Sequence, residues 1–145
     1  MWTDLGRWTH AVLRIGAGAL FLEHGLQKLF GLFGGVQGGA VPVMSMLGAA
    51  GVVETAGGLL LIVGLFTQPV AALLVVEMIS AYFIAHLPQG GWPIENQGEL
   101  ALLYGSVFVF LAGNGAGPMS VDEALRVPGT QERRHIDDRR HPVAA

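Results

Sequence analysis

The chain has 145 residues, of which 52% are hydrophobic and 13% charged, with a net charge of −3 and no cysteine. Soluble domains carry about 25% charged residues, so this composition points to a small integral membrane protein and away from a basic nucleic-acid-binding surface. The lack of cysteine excludes disulfides, cysteine-ligated zinc, iron–sulfur clusters and thiol redox chemistry within the chain.

A membrane-spanning helix needs about 20 mostly apolar residues, and four segments approach that length. The first is predicted over residues 8–33. Arg7 ahead of an apolar run imitates a signal peptide, but the run passes Gly18 without a cleavage signature and is read as a retained span. The glycines and proline between Gly34 and Pro42 break it. A second span is predicted over 46–66, closed by Thr67-Gln68-Pro69, and a third over 70–87. In the next loop, Pro88 to Gln97, Trp92 suits an interfacial anchor. The fourth and shortest span is predicted over 98–113. Glycines among the apolar residues, notably Gly51 with Thr55 and Gly57-Gly58, are expected at close helix contacts.

After Pro118 the composition changes: five Arg and five Asp or Glu follow from Met119 onward. Ser120, ahead of Asp122 and Glu123, is placed to cap a short surface helix. Residues 130–145 read as a polar, disordered tail. The fold class is therefore all-α, a four-transmembrane-helix bundle over 1–129 followed by that tail. The first and third loops lack Arg and Lys, whereas Arg7 precedes the first span and five arginines follow the fourth. The positive-inside rule puts both termini in the cytoplasm.

Charges inside these spans are the informative feature, because an ionisable group in lipid is costly enough to mark a functional site by default. At about 1.5 Å of rise per residue, Glu23, Gln27, Glu54, Glu77, His86 and Glu99 all fall in the outer half of the bundle. Glu23 and Gln27 share a helix face, as do His24 and Lys28. The two faces are about 100° apart and are expected to form one polar wedge. Four carboxyl groups there oppose the single ammonium of Lys28, an arrangement suited to proton-coupled chemistry. Plainer roles compete. Such groups can act as hydrogen-bond glue between helices. Glu54 and Glu99 lie near helix starts, where a carboxylate also favours the dipole. Lys28 can snorkel to the headgroups, His86 can be structural at a helix end, and Arg14, alone in the inner half, fits snorkelling or a structural pair. A carboxylate-bridged metal pair takes Glu-x-x-His from two helices, and the spans contain no such motif.

Several stretches resemble one known family. Leu13-Arg14-Ile15-Gly16 leading to Phe21-Leu22-Glu23-His24-Gly25-Leu26-Gln27-Lys28-Leu29-Phe30-Gly31 is similar to the first helix of the DoxX family. Glu54-Thr55-Ala56-Gly57-Gly58 and its continuation to Thr67 resemble the second helix. His86-Leu87-Pro88-Gln89-Gly90-Gly91-Trp92 and Gln97-Gly98-Glu99-Leu100-Ala101 resemble the third and fourth, and Gly115-Ala116-Gly117-Pro118 the family's ending. The resemblance covers about Val12 to Leu125. It implies a four-helix, multi-pass protein of the bacterial cytoplasmic (inner) membrane, associated with redox work. A related subunit belongs to thiosulfate:quinone oxidoreductase, and a mycobacterial relative assembles with a thiosulfate sulfurtransferase and a superoxide dismutase. The family's polar positions carry over onto His24, Gln27, Lys28, Glu54, His86 and Glu99. Gln68 departs from the family, whose short cytoplasmic turn often carries a basic residue there.

Together these readings lead to an expected membrane component of an oxidoreductase system. Glu23, His24 and Glu77 are the expected catalytic or proton-exchanging groups. Gln27, Lys28, Glu54, His86 and Glu99 are expected to bind the cofactor, a quinone. The electron donor would be a partner protein or a sulfur compound, and a partner or self-association would complete so small an interior. Two alternatives are a scaffold docking soluble redox or detoxification enzymes and a small proton-coupled carrier.

Overall fold

A computed structural model describes residues 4–36 and 38–126, so the predicted tail at 130–145 lies outside the described residues. Among the described residues the chain is all-α, with no β-strand beyond an isolated bridge between Val36 and Gly39. The helices are α1 (Asp4–Phe30), α2 (Met46–Val63), α3 (Thr67–Ala81), α4 (Glu99–Asn114) and the short α5 (Val121–Arg126). A π-helical turn, Tyr82–His86, and a 3-10 turn, Leu87–Gln89, extend α3 without a break. Among the described residues two helical stretches are long and apolar enough to cross a membrane, Met46–Val63 and Thr67–Gln89. The α4 helix is equally apolar but shorter, and α1 is longer but interrupted by charge.

Helix boundaries follow local chemistry. Gly31, at φ 68°, ends α1 at Phe30, three residues before the predicted stop. Gly64, at φ 69°, ends α2 with a Schellman motif: Leu65 N–H donates to Leu60 O and Gly64 N–H to Leu61 O. The predicted helix end at Thr67-Gln68-Pro69 is corrected, because these residues begin α3 instead. Pro69 falls in the first turn, where an N–H has no intrahelical partner to lose. The orphan donors at this start are met from a distance, as Asp122 accepts from Phe66 N–H at 2.8 Å and from Thr67 N–H at 2.9 Å. Asp122 is itself held by α5, which Ser120 caps through Glu123 N–H at 3.1 Å.

Consecutive helices run antiparallel, and α1 and α2 approach most closely. Gly18 faces Gly58 while Gly25 faces Gly51 and Thr55, so seven-residue spacing on both helices keeps the glycines in one seam. A Cβ on Gly25 would lie 2.5 Å from Thr55 N and 2.8 Å from Gly51 O, both rigid backbone atoms. Gly25→Ala is therefore expected to cost about 1–3 kcal/mol by overpacking. Gly113→Ala, where a Cβ meets nothing within 4 Å, should leave stability unchanged or slightly raised. Equilibrium unfolding of the two purified variants compares them directly.

The remaining interior is filled by Phe21, Leu61, Leu74, Phe108 and Leu111. Phe21 meets Phe108 and Tyr104 edge-on at centroid distances of 4.9 and 5.3 Å, so large rings rather than glycines separate α1 from α4. Outward positions of α2, α3 and α4, among them Leu59, Leu73, Val76, Leu103 and Val109, are exposed and apolar. Contiguous apolar surface on this scale is foreign to a soluble monomer and is what lipid requires.

At the end of the bundle formed by the start of α1 and the end of α4, Arg14 is fully buried, with 0% exposure. Its guanidinium donates to Ala116 O at 2.9 Å, Leu61 O at 2.7 Å, Ile62 O at 2.8 Å and Met119 O at 2.8 Å. Arg14 is turned inward, and among the described residues it makes no ion pair within 4 Å. It ties the last turn of α2 to the turn that leads into α5. Nearby, His10, which composition did not single out, is buried with Nε2 at 3.0 Å from Gly115 O.

Candidate functional site

The opposite end holds a polar chamber of about 270 Å³. Each helix contributes through a different local feature. Phe21, His24 and Lys28 recur every three or four residues along α1 and so share one face. From α2 comes Glu54, and from α3 come Met78 and Ala81. His86 reaches the chamber from the π-helical turn, which re-aims the last residues of a helix and is common at functional sites. Leu100, Ala101 and Tyr104 line it from α4, with Gln97 just ahead of that helix.

Lys28 and Glu54 form the centre. The ammonium lies 2.5 Å from Glu54 Oε1 and 2.6 Å from Oε2, with side-chain exposures of only 16% and 6%. Both are thus held at the chamber wall, and the Lys28 ammonium turns inward to Glu54 instead of reaching outward along its helix. Glu77, one residue before Met78, is close enough to interact electrostatically with Glu54 and Lys28. Both of its carboxyl oxygens are buried and have no hydrogen-bond partner among the described residues.

The histidines differ. His86 Nδ1 sits 3.0 Å from Asn96 O. A carbonyl only accepts, so Nδ1 carries the hydrogen and the neutral ring is left with Nε2 as its acceptor. Asn96 is itself buried, donating to Gly90 O at 2.8 Å and accepting from Gly98 N–H at 2.8 Å, which folds the loop around it. Gln97 next to it has φ 58°, a left-handed conformation seldom adopted outside glycine and concentrated at functional sites. His24 meets Tyr104 edge-on at 5.9 Å.

The expected convergence is corrected for three residues. Glu23 is exposed, Gln27 is half-buried on the same outward side of α1, and Glu99 is exposed in the first turn of α4. None of them lines the chamber. The reason is angular: 100° per residue separates neighbours on a helix, so of the two α1 pairs one turns inward and the other outward. The chamber instead collects His24, Lys28, Glu54 and His86, with Glu77 buried beside it. Tyr104, Asn96 and Gln97 are site residues that the sequence reading passed over. The turn chemistry of Asn96-Gln97-Gly98 was the visible signal for the last two, whereas an aromatic in an apolar helix carries none.

A helical bundle with apolar outward faces, membrane-length helices and charged groups gathered between them defines a membrane-type protein with a polar interior. The chain belongs to the DoxX family, whose sequence model matches residues 9–87. An uncharacterized protein of Haemophilus influenzae is 43% identical over 116 residues, covering 77% of this chain and 87% of that protein. No solved structure matches the chain.

Proposed function

We propose that this DoxX-family chain is the integral membrane component of a quinone-linked oxidoreductase system. In this reading α1 to α4 all cross the bacterial inner membrane, both termini are cytoplasmic, and the chamber lies in the outer half. The observation that carries it is a buried ion pair on the wall of a cavity large enough for a ring, beside a carboxyl group with no hydrogen-bond partner among the described residues.

The chamber suits a quinone head by its chemistry. Aromatic and apolar walls from Phe21, Met78 and Tyr104 would sandwich a flat ring, and His24, Lys28 and His86 surround it with groups able to bond carbonyl oxygens. At about 270 Å³ it falls just below the usual range for ligand pockets, about 300–1,000 Å³, so the head would enter and the tail would stay outside. A bound quinone supplies two-electron, two-proton carrier chemistry. Glu54 orients Lys28, His86 is oriented by Asn96 O, and Glu77 can exchange a proton without breaking a hydrogen bond among the described residues. No cysteine is available to ligate an electron-carrying cluster, so electrons would come from a partner protein or a sulfur compound.

Native mass spectrometry of protein purified gently from its own membranes tests this. The expected spectrum carries an added mass equal to the resident quinone, and a Glu77→Gln variant retains it, because binding does not need that proton. Bare wild-type protein under conditions that keep lipids bound would overturn the reading.

A further inference from the structure

One outward face of the bundle does not suit lipid. Along α1, Leu13, Gly16, Leu20, Glu23, Gln27 and Phe30 recur at alternating intervals of three and four, and all are exposed or half-buried. Two other sides of α1 are occupied, as Gly18, Leu22 and Gly25 pack on α2 and Arg14, Phe21 and Lys28 point inward, and what else is exposed beside the row, Trp8, Val12 and Ile15, is apolar. Leu20 is 53% exposed and Phe30 65%, so the carboxyl of Glu23 stands among apolar side chains open to the surroundings. It lies about 10 Å before the end of α1, well within the span.

The outward hydroxyls in the middle of α3 and α4 are satisfied inside their own helices. Ser80 Oγ donates to Val76 O at 2.8 Å, and Ser106 Oγ donates to Leu102 O at 2.8 Å. The outward row of α2, with Val52, Leu59 and Val63, is wholly apolar. Glu23 and Gln27 make no side-chain hydrogen bond with any described residue, and a carboxylate cannot bond back to its own helix carbonyls as a hydroxyl does. Lipid tails offer nothing in exchange.

We propose that this face of α1 is the contact with a second copy of the chain, in a parallel pair related by a two-fold axis along the membrane normal. Copies inserted the same way present α1 to α1 in parallel, and the three–four spacing is that of a two-stranded seam. A two-fold contact sets each residue of the seam opposite itself or its neighbours one turn away. Glu23 of one copy thereby meets Gln27 of the other, acceptor against amide donor, so the face supplies its own complement without a foreign cation. At Gly16 a Cβ would meet nothing within 4 Å, so no neighbour in this chain requires glycine there. That space lets a second backbone approach closely.

The cysteine-free chain makes the test direct. Single-cysteine variants of the full chain, Leu20→Cys on this face and Leu59→Cys on the outward face of α2, are oxidised in liposomes at low protein-to-lipid ratio. Disulfide-linked dimer is expected from Leu20→Cys and not from Leu59→Cys, and Phe30→Cys repeats the measurement farther along the seam. Adding Glu23→Leu to Leu20→Cys should lower the linked fraction about tenfold, the scale of one interhelical hydrogen bond, whereas Glu23→Gln should preserve it. Equal linkage at Leu20 and Leu59, no linkage at Leu20 or Phe30, or indifference to Glu23→Leu would each overturn the proposal. Linkage in native membranes to a different protein alone would also overturn it, in favour of a partner subunit on this face.

Discussion

Arg14→Met is expected to leave little folded protein in the membrane. Four carbonyl oxygens, those of Leu61, Ile62, Ala116 and Met119, accept from this one guanidinium. Leu61 O keeps the N–H of Gly64, but truncating the side chain takes the donor from Ile62 O, Ala116 O and Met119 O. A buried polar group left unpaired costs about 1–3 kcal/mol, so the summed loss reaches several kcal/mol and rivals the stability of an ordinary domain. Arg14→Lys should fall between, because an ammonium has three donors and no planar fork to span carbonyls on two segments. Denaturant unfolding in detergent, with expression yield as a second readout, ranks the three proteins. A methionine variant as stable as the wild type would show that the turn before α5 is held by other contacts.

The second large effect concerns the chamber. Lys28→Met leaves Glu54, whose side chain is 6% exposed, without its cation. Breaking a buried pair by removing one partner costs about 3–5 kcal/mol, whereas replacing both partners with apolar residues of similar size is often neutral. The single variant should therefore unfold readily, and Lys28→Met combined with Glu54→Leu should recover most of the lost stability. Ligand retention separates function from structure: the recovered double variant should carry no quinone mass. A stable double variant that still binds its ligand would demote the ion pair to interhelical glue.

These two residues illustrate how unevenly the molecule can be read from its chain. Arg14 and Lys28 are the two cations within the predicted first span, and composition treats them alike. Structure separates them by what comes within reach: backbone carbonyls at a helix end for Arg14, a carboxylate on the neighbouring helix for Lys28. Helix positions were legible to within a few residues, since hydropathy and breakers act locally. The misreading at Thr67-Gln68-Pro69 arose because a proline both ends and begins helices, and the decisive Asp122 lies more than fifty residues away.

Within the candidate site, His24, Lys28, Glu54 and His86 were legible as polar groups at a common depth, because rise per residue is constant along a helix. That Glu23 and Glu99 turn away from them was not, since depth says nothing of rotation about the helix axis. That rotation is set by the glycine seam between α1 and α2 and by the rings of Phe21, Tyr104 and Phe108 between α1 and α4. Composition and local pattern thus sufficed for the all-α class, the membrane character, the helices and the family. Which charges face one another, which face outward, and the presence of a chamber at all came from tertiary packing, because azimuth depends on contacts between residues far apart in the chain.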